Sequence, residues 1–430
     1  MKKSLFALAA LGAFAGAAQA QSSVSIYGNL DATEAYQSAG ALKSYALTAS
    51  ANTTSLWGLK GSEDMGGGLK MGFDLKSELN LATGATGSGT NVPPTAVITT
   101  ATAPTATQVT PTGATSNLFN RGANIFISSA SLGEVKVGRM DDIEWAMSGN
   151  FSTSNSNSFG SNQGHAQLGN INNTGLNKCV SGTAGLAGNG VCTTMGYIAQ
   201  NYSYSGTSDA FMAGIQYTTP NFAGFTAKIQ NGLGANNGLD TVWAGNTMGA
   251  GVFYNGLGGN LDVAVAQSRR SDDTGQLGYV ITSAGLKYKV MPSLTLTGIW
   301  SQSGLSGNTV AATSTNAGNT MWSAGVNYQV TPAADVSLAY TQVTADTAAS
   351  TTGSGNVAGS TNSVSMIGLT GRYNFSKRTQ VYAGVGQANN SNGYFMSPIY
   401  GGVALSNGTV GNNGVGANIF AGMLGLRHQF

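Results

Sequence analysis

Apolar and polar residues alternate with a period of two along most of this chain. One segment shows the two faces clearly, with Leu69, Met71, Phe73 and Leu75 alternating with Lys70, Gly72, Asp74 and Lys76. This period is that of a β-strand whose two faces meet different surroundings. After residue 20, no segment approaches the roughly 18 consecutive apolar residues that a spanning helix needs. The pattern therefore predicts an all-β protein.

Short turn signals rich in Gly, Pro, Asn, Asp and Ser separate these alternating runs. They lie at 62–68, 129–134, 219–224, 255–260, 290–293, 330–335 and 374–379. Longer connections lie between them, near 37–52, 81–118, 140–208, 231–246, 270–278, 303–319, 346–360 and 388–415. Short turns on one side and long loops on the other, with both chain ends together, predict about 16 antiparallel strands in a transmembrane barrel.

The last strand ends on an aromatic residue and keeps one apolar face. That face carries Phe420, Leu424, Leu426, His428 and Phe430. A strand with this face suits a wall between lipid and water. The same alternation would serve a soluble sandwich, but we expect polar residues to fill the other face throughout, and a sandwich built that way would have no core.

The amino terminus has the form of a secretory leader. Lys2 and Lys3 precede an apolar run, and Ala18-Gln19-Ala20 has the small-x-small pattern of a cleavage site. We therefore expect residues 1–20 to be a signal peptide and residues 21–430 to form the barrel domain. Losing the two lysines takes the formal charge from 19 − 17 = +2 to 17 − 17 = 0, which argues against a nucleic-acid partner.

Catalytic motifs are missing from the sequence. There is no G-x-S-x-G, H-E-x-x-H or Walker A pattern, and His165 and His428 are the two histidines. A triad or metal site needs several converging ligands or catalytic groups, which so few histidines supply poorly. We expect no enzymatic activity, no cofactor and no metal site.

Six ordered motifs between Val24 and Phe430 resemble those of the Gram-negative general diffusion porins. They are S-V-S-I-Y-G-N-L-D-A, G-L-K-G-S-E-D-M-G-G-G-L-K, F-N-R-G-A-N-I-F-I-S-S-A-S-L-G-E-V-K-V-G-R, Y-T-T-P-N-F-A-G-F, Y-N-F-S-K-R-T-Q-V-Y-A and G-L-R-H-Q-F. The resemblance implies a homotrimer of sixteen-stranded barrels in the outer membrane. It also implies that the third external loop, residues 140–208, folds into the lumen.

In that family, acidic residues of the third loop face basic residues of the barrel wall, which makes an electric field across the pore. The candidates are Asp141, Asp142 and Glu144 in the loop, and Lys60, Lys70, Lys76 and Arg121 on the wall. The three lysines occupy the polar faces of their strands, and Arg121 matches the arginine of the F-N-R segment. Arg139 shares the parity of Val135 and Val137, so a strand end or subunit contact suits it better than the pore.

Leu56 departs from the family pattern. The family commonly has S-R-x-G-x-K-G, where this chain has Ser55-Leu56-Trp57-Gly58-Leu59-Lys60-Gly61. Leu56 shares strand parity with Lys60, so it should line the pore if Lys60 does. We therefore expect a weaker basic cluster and weaker anion preference than in relatives.

The chain has two cysteines, Cys179 and Cys192, both in the predicted third loop. Export would take them through an oxidising periplasm, so we predict a disulfide within the loop.

We predict an outer-membrane porin through which small hydrophilic solutes and ions diffuse passively. Membrane lipid and lipopolysaccharide would surround it. The alternative is a surface adhesin or structural barrel whose external loops bind a partner, with residues 81–118 and their four prolines as the leading candidate loop.

Overall fold

The fold comes from a computed structural model of the chain. The structure describes residues 23–40, 42–86, 118–153, 157–160, 179–180, 191–192, 211–233, 246–271, 277–307, 319–345, 362–390, 397–399 and 418–430. The predicted signal peptide and most of the long external loops lie outside these residues.

The described chain is almost entirely β-strand. In order, the elements are β1 (Ser23–Ala39), β2 (Leu42–Ala49), β3 (Leu56–Gly66), β4 (Leu69–Glu78), β5 (Gly122–Ser129), β6 (Gly133–Asp141), α1 (Ile143–Asn150), β7 (Cys179–Val180), β8 (Val191–Cys192), β9 (Phe211–Thr218), β10 (Phe225–Gly232), β11 (Thr247–Gly256), β12 (Leu261–Ser271), β13 (Leu277–Met291), β14 (Leu294–Gly307), β15 (Asn319–Thr331), β16 (Ala334–Ala345), β17 (Asn362–Asn374), β18 (Thr379–Asn390) and β19 (Ile419–Gln429). Among the residues described, no helix has the length and apolar character that crossing a bilayer requires.

Seventeen of these strands form one antiparallel sheet that closes on itself. Consecutive strands pair around the ring, and β19 returns to pair with β1 from Asn29↔Gln429 to Ser38↔Phe420. β2 and β3 both pair with β1, on successive stretches, so they share one position and the barrel has 17 − 1 = 16 positions. The predicted sixteen-stranded barrel is confirmed, and closure excludes a two-sheet sandwich.

The outer face is apolar, as the alternation predicts. Phe420, Leu424, Leu426 and Phe430 are all exposed on it. Several exposed aromatic side chains gather at the strand ends that join the short turns, namely Phe222, Phe225, Tyr328, Tyr373 and Phe375. This position is where the aromatic girdle of an outer-membrane barrel meets the membrane interface.

All seven predicted short turns are present, but the first long loop is not. We expected a connection near 37–52, whereas β1 runs to Ala39 and β2 begins at Leu42. The backbones of the two strands pair in register from Ala32↔Ala49 to Ala39↔Leu42, as in an ordinary β-hairpin. Small residues such as Ser, Thr and Ala are common in this segment, and this composition resembles that of a loop. Pairing between strands overrides this local signal.

The inner face is not polar throughout, which corrects a second expectation. Nine buried apolar residues on β12–β18 form what we call the apolar track, namely Ala264, Ala266, Ile281, Ile299, Met321, Val343, Val364, Met366 and Ala388. Three apolar residues of the connection between β6 and β9, here called loop three, pack on this track. Loop three therefore folds into the barrel, and the track is buried because the loop covers it.

Candidate functional site: the narrowed lumen

Asp142 anchors the start of α1 to the barrel wall. Its Oδ1 accepts a hydrogen bond from the Glu144 backbone N–H at 2.8 Å, so it is the N-cap of the helix. Its Oδ2 accepts from Gln230 Nε2 at 2.7 Å and from Ser268 Oγ at 3.2 Å. The side chain is buried, and this burial raises its pKa to about 6. Asp142 therefore fastens the helix to β10 and β12.

Glu144 fastens the next turn of the same helix. Its Oε2 accepts a hydrogen bond from Ser283 Oγ on β13, and Ser283 Oγ lies 2.8 Å from Ser301 Oγ on β14. Glu144 is 1% exposed, and desolvation raises its pKa to about 8. The carboxyl group is therefore largely protonated at neutral pH.

Wall glycines let loop three approach the barrel backbone closely. An ideal Cβ on Gly285 would lie 2.3 Å from Phe151 Cδ2, and one on Gly386 would lie 2.4 Å from Phe159 Cδ1. Real Cβ atoms do not come so close, so these aromatic side chains require glycine beneath them. Ile143, Met147 and Phe151 pack on the apolar track, while Phe159 packs in a second cluster with Tyr382 and Met423.

The wall formed by β3–β6 carries charge on its inner face, and we call this face the charged wall. Side chains directly opposite each other in an antiparallel pair share a face, and Lys60 lies opposite Asp74. Lys76 Nζ lies 3.7 Å from Asp74 Oδ2 and 3.6 Å from Asp141 Oδ2. Lys60 Nζ lies 4.9 Å from the centroid of the Tyr27 ring. The charges of this wall are thus close to opposite charges or to ring faces.

Arg121 joins the charged wall to α1. Its Nε lies 3.0 Å from Glu78 Oε2, and its guanidinium carbon lies 5.8 Å from the centroid of the Trp145 ring. Arg121 is 7% exposed. Leu56 lies opposite Glu78 on β4 and opposite Asn29 on β1, so it shares the inner face with both. The arrangement places Leu56 beside the Arg121–Glu78 ion pair.

The predicted site residues therefore occupy three different environments. Lys60, Lys76, Asp141 and Leu56 lie together on or beside the charged wall, and Arg121 lies at its junction with α1. Lys70 shares the inner face but stands at the turn end of β4, six residues or about 20 Å from Lys76 along the strand. It cannot belong to the same narrow zone.

Asp142 and Glu144 also depart from the expected arrangement. We expected their carboxylates to face the charged wall across the pore, but both are buried between α1 and the opposite wall. The cause is the register of the helix, whose first turn packs on β10–β13. Asp141 contacts the basic wall directly, at salt-bridge distance from Lys76.

Several lumen residues were not singled out from the sequence. Asp74 and Glu78 follow the same alternation as Lys76, so parity alone could have identified them. Lys136 Nζ lies 3.1 Å from Glu134 Oε1, and Lys228 Nζ lies 5.3 Å from the centroid of the Phe253 ring. The segment 50–55, between β2 and β3, also enters the lumen, and no local sequence signal marked it.

The backbone of β7 pairs with that of β8, which places Cys179 directly opposite Cys192. Residues opposite each other in an antiparallel ladder have Cα atoms about 4.5–5.5 Å apart, within the range that a disulfide spans. The disulfide stays a prediction. Mass spectrometry of non-reduced peptides tests it, since alkylation of both cysteines would contradict it.

Comparison with known proteins gives a consistent result. The family model described as Gram-negative porin matches residues 7–393. Outer membrane porin protein 32 of Delftia acidovorans is 52% identical over 81 residues, which are 18% of this chain and 23% of that protein. The aligned part thus spans about a quarter of that curated relative.

Two solved structures share the fold over nearly the whole chain. The anion-selective porin from Comamonas acidovorans has a TM-score of 0.65 and 19% identity, covering 95% of this chain and 100% of that one. The trimer form of OmpT, an outer membrane protein of Vibrio cholerae, has a TM-score of 0.58 and 13% identity, covering 95% and 99%. At these identities the likeness establishes the barrel and nothing finer.

Proposed function

Because the chain belongs to the Gram-negative porin family, we propose that it is a channel through which small hydrophilic solutes and ions diffuse passively. The family and the barrel indicate the outer membrane as its location. The predicted signal peptide at residues 1–20 would deliver the chain to the periplasm for assembly. We propose no catalytic step and no cofactor.

The observation that supports this proposal best is a closed barrel with charged side chains on an inner wall that the described residues of loop three leave largely uncovered. Sixteen strand positions enclose a lumen wider than side chains alone can fill. α1 occupies one side of that lumen, against β11–β13, and the charged wall lies on the other. Water and solutes would pass between them, and loop three would set the size limit.

Ion selectivity should be weak. In the charged wall, Lys76 is flanked by Asp74 and Asp141, and Arg121 is paired with Glu78. Paired opposite charges cancel each other's field beyond a few ångströms, and salt screens the remainder within about 8–10 Å. Solutes would thus be sorted more by size than by the sign of their charge.

A homotrimer agrees with one feature of the outer face. Glu34 is exposed there on β1, with Leu47 of β2 and Leu424 of β19 directly opposite it. A charged side chain among apolar residues facing lipid is unfavourable, although Glu costs less than Arg or Lys. Contact with a neighbouring protomer would remove Glu34 from lipid, which supports assembly into the trimer.

Reconstitution into a planar bilayer tests the channel. We expect the purified barrel to produce stepwise, voltage-independent conductance at low potential, and swelling of liposomes in small sugars but not large ones. A correctly folded barrel without any conductance would contradict the proposal. Boiled protein is the matched control, because heat removes the fold and leaves the composition unchanged.

A further inference from the structure

The barrel strand between β1 and β4 is interrupted in the middle. β2 pairs with β1 as far as Ala32↔Ala49, and pairing resumes at Asn29↔Leu56 in β3. Six residues, 50–55, therefore lie opposite only two residues of β1, Leu30 and Asp31. An ordinary β-bulge inserts one extra residue. This excursion is larger, and it leaves the wall.

Asp31 holds the excursion on the inner side. Its Oδ2 accepts hydrogen bonds from the backbone N–H groups of Asn52, at 2.8 Å, and of Thr53, at 2.7 Å. Its Oδ1 accepts from the Tyr382 hydroxyl, which also contacts Thr33 Oγ1. Asp31 is completely buried. A buried carboxylate needs such donors, so the excursion supplies the partners that Asp31 requires.

Residues 157–160 of loop three, which follow α1, dock on this excursion. The Asn157 backbone N–H donates to Asn52 O at 2.8 Å, and Asn157 Nδ2 donates to Ser50 O at 2.9 Å and lies 3.3 Å from Thr54 Oγ1. Ser158 Oγ donates to Ala51 O at 2.6 Å. The excursion and loop three therefore form one hydrogen-bonded unit inside the lumen.

Two backbone strains coincide at this junction. Ser50 has φ 71° and Phe159 has φ 54°, both in the left-handed region that residues with a side chain seldom adopt. Such conformations persist where surrounding contacts over-determine them. The Phe159 ring is seated on wall glycines, and its backbone N–H donates to Pro398 O at 2.9 Å. Residues 157–160 of loop three are thus fixed by several contacts at once.

We propose that residues 50–55 are a second constriction element, which positions residues 157–160 of loop three and with them fixes the cross-section of the pore. This inference rests on the proposed channel function. Loop three alone has its first anchors at Asp142 and Glu144 on β10–β13. The excursion beside β1 provides a further anchor at residues 157–158, so the described part of loop three is held at both sides of the lumen.

Asn157→Ala tests the proposal, because it removes two side-chain hydrogen bonds to the excursion and keeps the backbone bond. Losing each net hydrogen bond changes an equilibrium about fivefold. In single-channel recordings we expect the fraction of time spent away from the main conductance level to rise at least about fivefold. Thr54→Ala should give a smaller rise, and the double variant should match Asn157→Ala alone, since both act through one contact.

Asn389→Ala is the matched control, because Asn389 is an exposed asparagine on the outer face of β18. It should record like the unmodified protein. Heat-modifiable migration on gels shows that each variant is folded. If the folded Asn157→Ala channel spends the same fraction of time away from the main conductance level as the unmodified channel, the positioning role is wrong. If the unmodified protein shows no conductance at all, the channel proposal itself fails.

Discussion

Both sides of the lumen are built from strands with the same two-residue alternation. The inner residues beneath loop three nevertheless differ in polarity from those of the charged wall. On the charged wall of β3–β6, inner positions carry lysine, aspartate and glutamate that face the open lumen. On β12–β18, the inner positions beneath loop three carry mainly alanine, isoleucine, methionine, serine and glycine, whereas the charged residues Lys287, Asp335 and Arg372 lie closer to the short turns. The difference shows that residues on the inner face of a barrel need not contact water. One side of this barrel would face the proposed channel, and the other side packs with loop three as a small protein core.

The largest effect should come from removing a buried aromatic side chain through which loop three packs on the covered side. Phe159 is 2% exposed on three wall glycines. Phe159→Ala should weaken the docking of residues 157–160 of loop three by about 3–5 kcal/mol, the usual range for a buried Phe. Release of the loop by more than about 100-fold should follow, and the rate of native-state proteolysis within loop three measures it.

Phe222→Ala is the control for this change, because Phe222 is 82% exposed at a short turn. It should leave the proteolysis rate unchanged. Equal rates for Phe159→Ala and the unmodified protein would mean that the covered side does not hold the loop.

The second effect depends on pH and again concerns the covered side. Burial raises the pKa of Glu144 to about 8, above its ordinary value of 4.5. Docking therefore favours the protonated form, so it is strongest below about pH 4.5 and weakens as pH rises toward 8. Each pH unit in this window costs about 1.4 kcal/mol of docking free energy. Proteolysis of loop three should accelerate over the same window.

Glu144→Gln keeps the shape and removes the titration, so its proteolysis rate should depend much less on pH. The remaining pH dependence of the rate should come from Asp142, whose pKa burial raises to about 6. Its contribution should change with pH only below about pH 6. Glu63→Gln, at an exposed position of β3, is the matched control and should keep the full dependence. An unchanged profile in Glu144→Gln would show that another group titrates.

The third effect is on the charged wall and is smaller, because these side chains are partly exposed. Lys76→Gln leaves Asp74 and Asp141 without their shared cation. A charge about 8 Å from a passing ion contributes roughly 0.5 kcal/mol before screening. Reversal potentials under a salt gradient should shift toward cations by about twofold.

Lys70→Gln removes the same charge about 20 Å away along β4 and should change the ion preference little, since screening acts within about 10 Å. If Lys76→Gln and Lys70→Gln shift the ion preference equally, Lys76 does not lie in the narrow zone of the pore.

The smallest effect should come from adding a charge. Leu56→Arg places a guanidinium opposite Glu78, which already pairs with Arg121. Sharing one carboxylate between two arginines leaves a net positive charge, partly neutralised. The preference should therefore shift toward anions by somewhat less than about twofold. An unchanged reversal potential would mean that Leu56 does not line the conducting path.

The sequence was a good guide to the wall and a poor guide to what lies inside it. The turn positions follow from local Gly, Pro, Asn, Asp and Ser residues. The inner face of Lys60, Lys76 and Asp74 follows from alternation, because adjacent residues of a strand point to opposite faces. The burial of Asp142 and Glu144 does not follow, because it depends on contacts with Gln230, Ser268 and Ser283, more than 80 positions away.

By itself, the sequence determined a closed barrel with an apolar exterior, since period-two patterning and turn residues act locally. Only the tertiary structure decided which part of the inner face is covered, which charges pair and where the described residues of loop three dock. Asp31 illustrates the reason, because its partners Asn52, Thr53 and Tyr382 come from two separate parts of the chain. Such contacts form when the barrel closes, since closure brings β1 and β18 to either side of β19.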